Sequence, residues 1–242
     1  MLWAAAARSQ PISGNITGSG SSALLPLVKD AAESFKKQHK EVSISLNAGG
    51  SGMGLKQVSD GSVDMGNSDV PAASKLPKDK ADKLEDHKIC VMTVATIVNK
   101  DVAEKVKSLT KQQLTDIFTA KVTNWKEVGG PDEPITLVTR PKTSGTRALF
   151  AKYAIGYVAL PYLTKNDTVA TVSIDGVAPT LENTYSGKYN VWGYEHIYTN
   201  KNPKAAVKAF LDYILSADYG KRIEELGYGV SSKMQVKDTA HD

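Results

Sequence analysis

A chain of 242 residues, 41% of them hydrophobic, can bury a full core as one large domain or two of ordinary size. Lys and Arg number 30 against 26 Asp and Glu, a net charge of only +4. The basic residues interleave with acidic ones, as in KLPKDKADKLEDHK, so they read as a solvated surface and argue against a nucleic-acid partner. The single cysteine, Cys90, lies in the apolar run ICVMTVATIV and reads as a small buried hydrophobe that can form no internal disulfide. The opening MLWAAAARSQ is apolar but too short, and too poor in early basic residues, for an ordinary signal peptide or a membrane span. It reads as the end of a cleaved leader or an added terminus. No other stretch is long and apolar enough to cross a bilayer, so the expectation is a soluble mature chain.

Along the chain, Leu24, Leu27, Val28, Ala31 and Phe35 recur at helical spacing and predict an amphipathic helix reaching about His39, with Pro26 in its first turn. VSISLNA alternates like a strand and ends at GGSGMG, after which LKQVSDG is expected to be helical. VDMGNSDVP reads as a short strand, and the charged stretch that follows as helix. ICVMTVATIVNK is the near-continuous apolar run of a strand buried on both faces. SLTKQQLTDIFTA carries a Ser/Thr cap and a helix. ITLVTR predicts another strand, and TSGTRALFAKYA a turn entering a helix. IGYVAL and VWGYEHIYTN read as strands, VSIDGVAPTLENTYSGKYN as a loop-rich stretch, and PKAAVKAFLDYILSADYGKRIEELGY as helices. Strands alternate with helices throughout, which predicts an α/β fold with a mainly parallel sheet. No flexible linker appears, so two domains would be joined by strands, with Val91 to Asn99 and Tyr194 to Asn200 the best crossings.

The most informative pattern is a strand end, a Ser/Thr/Gly turn and a helix start, met three times: Gly18-Ser19-Gly20-Ser21-Ser22, Gly50-Ser51-Gly52-Met53-Gly54 and Thr143-Ser144-Gly145-Thr146. A helix start offers unpaired N–H groups and the positive end of the dipole, glycine lets an anion approach the backbone, and a hydroxyl adds a donor. Any one such turn is an ordinary cap. Three of them, with Arg140 just before the third, would form a strongly donating anion cage, because a guanidinium matches two oxygens of a phosphate or carboxylate. Other chemistries lack their groups. Gly18-x-Gly20-x-x-Ala23 meets the loose dinucleotide pattern without the strand or acid that an adenosine site needs. No GxxxxGK[ST] is present. Gly49-Gly50-Ser51-Gly52 fails the hydrolase elbow at Met53. His39, His87, His196 and His241 are scattered without ligand spacing, which disfavours zinc and a Ser-His triad alike.

ITGSGSSALLPLV, GGSGMGLKQVSDGSVDMGNSDVP, TRPKTSGTRALF, IGYVALPYL and IDGVAPTLENTYSGKYN resemble, in order and spacing, the phosphate-binding proteins of bacterial ABC phosphate transporters, particularly the shorter Gram-positive type. The resemblance runs from about Ile16 to Gly229. It implies a two-domain periplasmic-binding-protein fold of type II, with phosphate held in a cleft between the domains and neither catalysis, cofactor nor metal. It also implies the ligand set: Ser22 and the backbone N–H of Ala23 from the first helix, Ser51 from the second, the aspartate Asp69, and Arg140, Ser144, Gly145 and Thr146 from the second domain. A buried carboxylate beside a dianion is repulsive unless a proton lies between them. Hydrogenphosphate carries that proton and sulfate does not, so Asp69 would reject sulfate by leaving a buried group unpaired.

Domain I is then expected over 13–90 plus 197–242 and domain II over 91–196. The implied partners are inorganic phosphate and a membrane permease with its ATPase, and the implied location is the extracellular face of the membrane or the periplasm, through a lipid anchor on the precursor. Two departures from the family stand out. Lys142 occupies a position where relatives often carry an acid, and ALFAKYAIGYVAL joins a helix to a strand with no connection, which predicts a missing segment between Ala154 and Ile155. The rival readings are a receptor for another tetrahedral oxyanion such as sulfate or molybdate, a phosphate sensor or scavenger without a transporter, and a phosphate-ester hydrolase, for which no metal cluster or activated nucleophile is apparent.

Overall fold

A computed structural model describes residues 11–138, 155–165 and 169–236. Eight strands and eight helices lie along the described chain. The strands are β1 (Gly14–Gly20), β2 (Val42–Ala48), β3 (Met65–Ser68), β4 (Leu84–Asn99), β5 (Ser108–Leu109), β6 (Gly156–Ala159), β7 (Val169–Ile174) and β8 (Trp192–Asn200). The helices are α1 (Leu25–Gln38), α2 (Ser51–Ser59), α3 (Lys78–Ala81), α4 (Lys100–Lys105), α5 (Lys111–Phe118), α6 (Leu181–Tyr185), α7 (Ala205–Ile214) and α8 (Ala217–Glu225). They build a mixed α/β fold with sheet order β2-β1-β3-β8-β4-β7-β5, and β6 also pairs with β4.

The organising element is β4, whose residues from Ile89 to Thr96 form an unbroken buried run. It pairs antiparallel with β8 from Leu84 opposite Asn200 to Thr93 opposite Trp192, then with β6 and β7 over its second half. One hydrophobic core gathers near the β1 end of this ladder, where Leu27, Val28 and Phe35 of α1 and Phe210 and Ile214 of α7 meet Ile16, Met65 and Ile197. A second gathers near the other end around Val94, Val98, Leu114, Trp125, Tyr157 and Val172. A smaller cluster under α2 contains Leu55, Val58 and Tyr198. Consecutive residues of a strand face opposite ways, so Ile197 and Tyr198 serve helices on opposite faces of one sheet.

Local chemistry explains the helix limits. Pro26 sits in the first turn of α1, where its missing N–H costs nothing, and Lys36 and Lys37 lie at the negative end of its dipole. Thr110 and Gln113 close a capping box on α5. Near the surface of the first core, Arg222 of α8 holds Asp30 of α1 through a 2.6 Å ion pair. Tyr219 also donates to that carboxylate at 2.9 Å.

Several expectations change on this scaffold. The sheet is mixed rather than mainly parallel, because β4 and β8 run in opposite senses: β1–β2, β1–β3 and β5–β7 are parallel, while β3–β8, β4–β8, β4–β6 and β4–β7 are antiparallel. The second helix starts at Ser51, inside the glycine-rich turn, because Gly50 supplies a positive φ of 83° for the entry. Ile135 to Val138 belongs to no strand, though the Ile135 amide donates to the Thr123 carbonyl at 2.8 Å and the Val138 amide to the Ile155 carbonyl at 2.9 Å. The stretch expected to be loop-rich holds the end of β7 and all of α6, with Thr180 capping the Asn183 amide. The charged stretch before β4 is helical only over Lys78–Ala81, and its end, from Leu84, already belongs to the strand.

Burial of the Asp30 carboxylate is more than offset by Arg222, whose hydrogen bond holds the Asp30 pKa below the usual aspartate value. The stabilisation is present above the unfolded aspartate value of about 3.9 and is lost as pH falls through the lower folded value. Arg222→Met is therefore expected to cost about 1 kcal/mol at pH 7. In urea denaturation, its deficit should shrink towards zero as the pH is lowered through that window.

Candidate anion-binding site

β1, β2 and β3 are parallel, so their C-terminal ends lie on one side of the sheet, the side where open α/β sheets bind ligands. Backbone bonds tie those ends together. The Gly20 carbonyl accepts from the amides of Gly49 (3.0 Å) and Gly50 (2.8 Å), and the Ser21 amide donates to the Asn67 carbonyl at 2.8 Å. Two glycines make this approach possible. A Cβ on Gly20, whose φ is 129°, would lie 2.1 Å from the Asn67 carbonyl oxygen. A Cβ on Gly54, in the first turn of α2, would lie 2.6 Å from the Gly20 Cα.

Ser51 and Asp69 meet at this junction. The Asp69 amide donates to the Ser51 Oγ at 3.0 Å, and both side chains are buried. Because the Ser51 oxygen already accepts, its own proton is available to an acceptor, beside the first-turn amides of α2. On the neighbouring turn, Ser21 Oγ accepts from the Ala23 and Leu24 amides, each at 3.0 Å, and starts α1. The Ala23 N–H, expected as a ligand donor, is thus engaged by Ser21 in this arrangement. Ser22 follows, partly buried, and its carbonyl accepts from Tyr162 Oη at 2.5 Å, while the Ala23 carbonyl accepts from Tyr228 Oη. The turn is therefore pinned from two sides by phenols, one of them from the helical turn Leu160–Lys165 next to β6. Arg140, Ser144, Gly145 and Thr146 lie outside the described residues.

Three buried polar side chains at this spot escaped the sequence reading. Ser21 is buried and holds the Ala23 and Leu24 amides in the turn that leads into α1. Asn67 is fully buried, with both its amide oxygen and nitrogen lacking a hydrogen-bond partner among the described residues. Glu195 of β8 is 0% exposed, and burial, then the nearby Asp69 carboxyl, push its pKa well above the usual carboxylate range. A signal for Glu195 was present, since period-two alternation in GYEHI sets it on the face of Gly193 and Ile197, away from solvent. Among the described residues no cluster of three or more His, Cys, Asp or Glu side chains could hold a metal ion, and no helix is long and apolar enough to cross a membrane.

Comparison with known proteins now bears on this site. The PBP superfamily domain matches residues 5–157, more than half of the chain. A crystal structure from Clostridium perfringens, described as a phosphate ABC transporter substrate-binding protein with bound phosphate, superposes with a TM-score of 0.80 at 29% identity, covering 93% of this chain and 100% of that one. An ABC-type phosphate transport receptor from Vibrio cholerae shares the fold with a TM-score of 0.73 at 24% identity, covering 89% and 99% of the two chains. The fold is thus that of the periplasmic-binding-protein superfamily, a class built to hold a ligand.

The phosphate-binding protein PstS of Bacillus subtilis is 44% identical over 93% of this chain and 83% of its own length, and the chain belongs to that family of phosphate-binding proteins. These relatives are named for binding and transport, so the chain is a binding protein and not an enzyme. The Bacillus alignment runs over 253 positions, more than the 242 residues of the whole chain, so that relative carries extra residues inside the matched region.

Gly20→Ala is expected to destabilise the fold by about 3 kcal/mol or more, because the strained φ and the clash with Asn67 add. Ser21→Ala, which leaves two amides at the start of α1 without their acceptor, should cost about 1 kcal/mol. Both values are read from midpoints of chemical denaturation.

Proposed function

We propose that this chain captures inorganic phosphate for an ABC importer, holding it between two domains that close on it, and hands it to a permease and its ATPase. The observation that carries this reading is the buried pair of Ser51 and Asp69, a free hydroxyl proton and a carboxylate, set among helix starts at the C-terminal ends of parallel strands. The names of the Bacillus subtilis relative and of the Clostridium perfringens structure with bound phosphate support it.

In this reading Ser22, Ser51 and the first-turn amides donate to phosphate oxygens, and Asp69 accepts the ligand's own proton. Arg140, Ser144, Gly145 and Thr146 contribute from the second domain, with Arg140 as the full positive charge. The Ala23 amide joins only if it shares its hydrogen with Ser21 or turns from it on binding. Domain I spans 13–90 and 197–242 and domain II 91–196, joined by β4 and β8, whose antiparallel ladder would act as the hinge. The protein works outside the cytoplasmic membrane, with a lipid anchor on its precursor, and relatives have further residues between positions matching 154 and 155. Phosphate favours the closed arrangement because only there do both domains touch it.

The test is a thermal-shift titration with phosphate and with equimolar sulfate. Phosphate at about 100 times its dissociation constant should add about 2.7 kcal/mol of stability. Sulfate, without a proton for Asp69, should add little. Asp69→Ala and Arg140→Ala should each abolish the response to phosphate. An equal response to sulfate would transfer the reading to a general oxyanion receptor, and no response to either anion would end it.

A further inference from the structure

The antiparallel register of β3 and β8 pairs Gly66 with Tyr198, Asn67 with Ile197 and Ser68 with His196. Asp69 follows the last paired residue of β3 and lies beside Glu195, where the same register carried one step further would set the two opposite each other. Directly opposed residues of an antiparallel pair have their Cβ atoms about 4.5–5.5 Å apart, and like charges there repel. Both side chains are buried, Asp69 at 2% and Glu195 at 0% exposure. Two carboxylates so placed cannot both be ionised without a cation between them.

Among the described residues, the titratable groups around Glu195 supply no cation. Asp69 faces it from the end of β3, Cys90 from β4, and Tyr228 from the segment after α8, with Tyr162 beyond Tyr228. The Tyr228 hydroxyl is committed to the Ala23 carbonyl. Ser21 is the remaining polar neighbour of Glu195. Its oxygen accepts two backbone amides, so the hydroxyl proton points outward and can only be given away. Neither Glu195 oxygen has a partner within hydrogen-bond limits among the described residues, although Ser21 and Asp69 are its polar neighbours. The arrangement open to it is that Ser21, holding the Ala23 and Leu24 amides, turns its proton to one of those oxygens. The other oxygen of Glu195 is then best satisfied by carrying a proton and giving it to Asp69.

We propose that Glu195 is the positioning residue of the anion site, a protonated carboxylic acid that donates to Asp69 and so keeps that carboxylate an oriented acceptor for the proton of the ligand. The inference rests on the phosphate reading above and adds to it a group that touches no ligand. It makes Asp69 the end of a one-way series of hydrogen bonds that starts at the α1 amides. It also ties the site to β8, the strand that runs beneath it from one core to the other. At alkaline pH the Glu195 proton is lost, two negative charges face each other, and phosphate is repelled by both.

Two measurements test this. The first needs no ligand: difference infrared spectroscopy at pH 7 should show the carbonyl stretch of one buried protonated carboxylic acid in the wild-type protein. That band should persist in Asp69→Asn and vanish in Glu195→Gln. Absence of the band in the wild type, or its loss in Asp69→Asn, would place the proton elsewhere and overturn the proposal, whatever the protein binds.

The second is calorimetric phosphate binding from pH 6 to pH 9.5, with the ratio of variant to wild-type constants cancelling the ligand's own titration. Glu195→Ala should weaken binding about tenfold at pH 7, and Glu195→Gln, a permanent neutral donor of the same shape, should restore it to within about threefold. As pH rises, the wild type should lose affinity relative to Glu195→Gln. Superimposable pH profiles of the two would overturn the proposal. If Glu195→Gln does not fold, the wild-type and Asp69→Asn spectra alone still decide. A wild-type protein that shows the band yet binds no phosphate would sink the phosphate reading and leave the protonated pair standing.

Discussion

The structure depends on the close meeting of three strand ends and one helix start, which is possible only where two residues have no side chain. Gly20 lies against the Asn67 carbonyl and Gly54 against Gly20 itself, at separations no Cβ would tolerate. This contact brings the amides at the start of α2, the Ser51 hydroxyl and Asp69 into one place. It also fixes the turn after β1, since Gly20 accepts from both Gly49 and Gly50. Glycine at these two points costs backbone entropy, and what it provides is a polar junction denser in donors than ordinary packing allows.

Around that junction the protein buries groups that folding alone would avoid. Asn67 has both amide atoms without a partner among the described residues, and the same holds for both carboxyl oxygens of the fully buried Glu195. An unpaired buried polar atom costs about 1–3 kcal/mol, so a chain selected for stability alone would place apolar residues there. Both sit beside Asp69, on β3 and on β8 respectively. The local deficit in polar satisfaction coincides with the candidate anion site. The two large cores stand to either side and carry the stability.

β4 and β8 join those two cores. Their antiparallel ladder runs from the sheet of β1 to the sheet of β7, and the second half of β4 also carries β6. Continuous strands transmit a small rotation better than a loose tether, which suits the closure proposed above. The Tyr162 hydroxyl on the Ser22 carbonyl crosses the same divide, from the turn after β6 to the start of α1.

The sequence by itself determined many of the local elements and pointed to the candidate site. Periodicity fixed α1, β2, the buried part of β4, α5 and α7. The Ser-Gly turns marked where helix starts would face an anion, and the family motifs singled out Ser51 and Asp69. What it missed was decided by tertiary structure. The parallel expectation failed because strand direction depends on how β4 and β8 cross, which no local pattern encodes. That Ser21 would hold the Ala23 and Leu24 amides was decided by the geometry of the turn, which the local sequence does not encode. Glu195 lies near Asp69 only because β3 and β8 pair, which brings together residues 126 positions apart in the chain, counted from 69 to 195. Whether a buried acid is a misfit or a partner depends on what lies opposite it, and that is set only when the sheet forms.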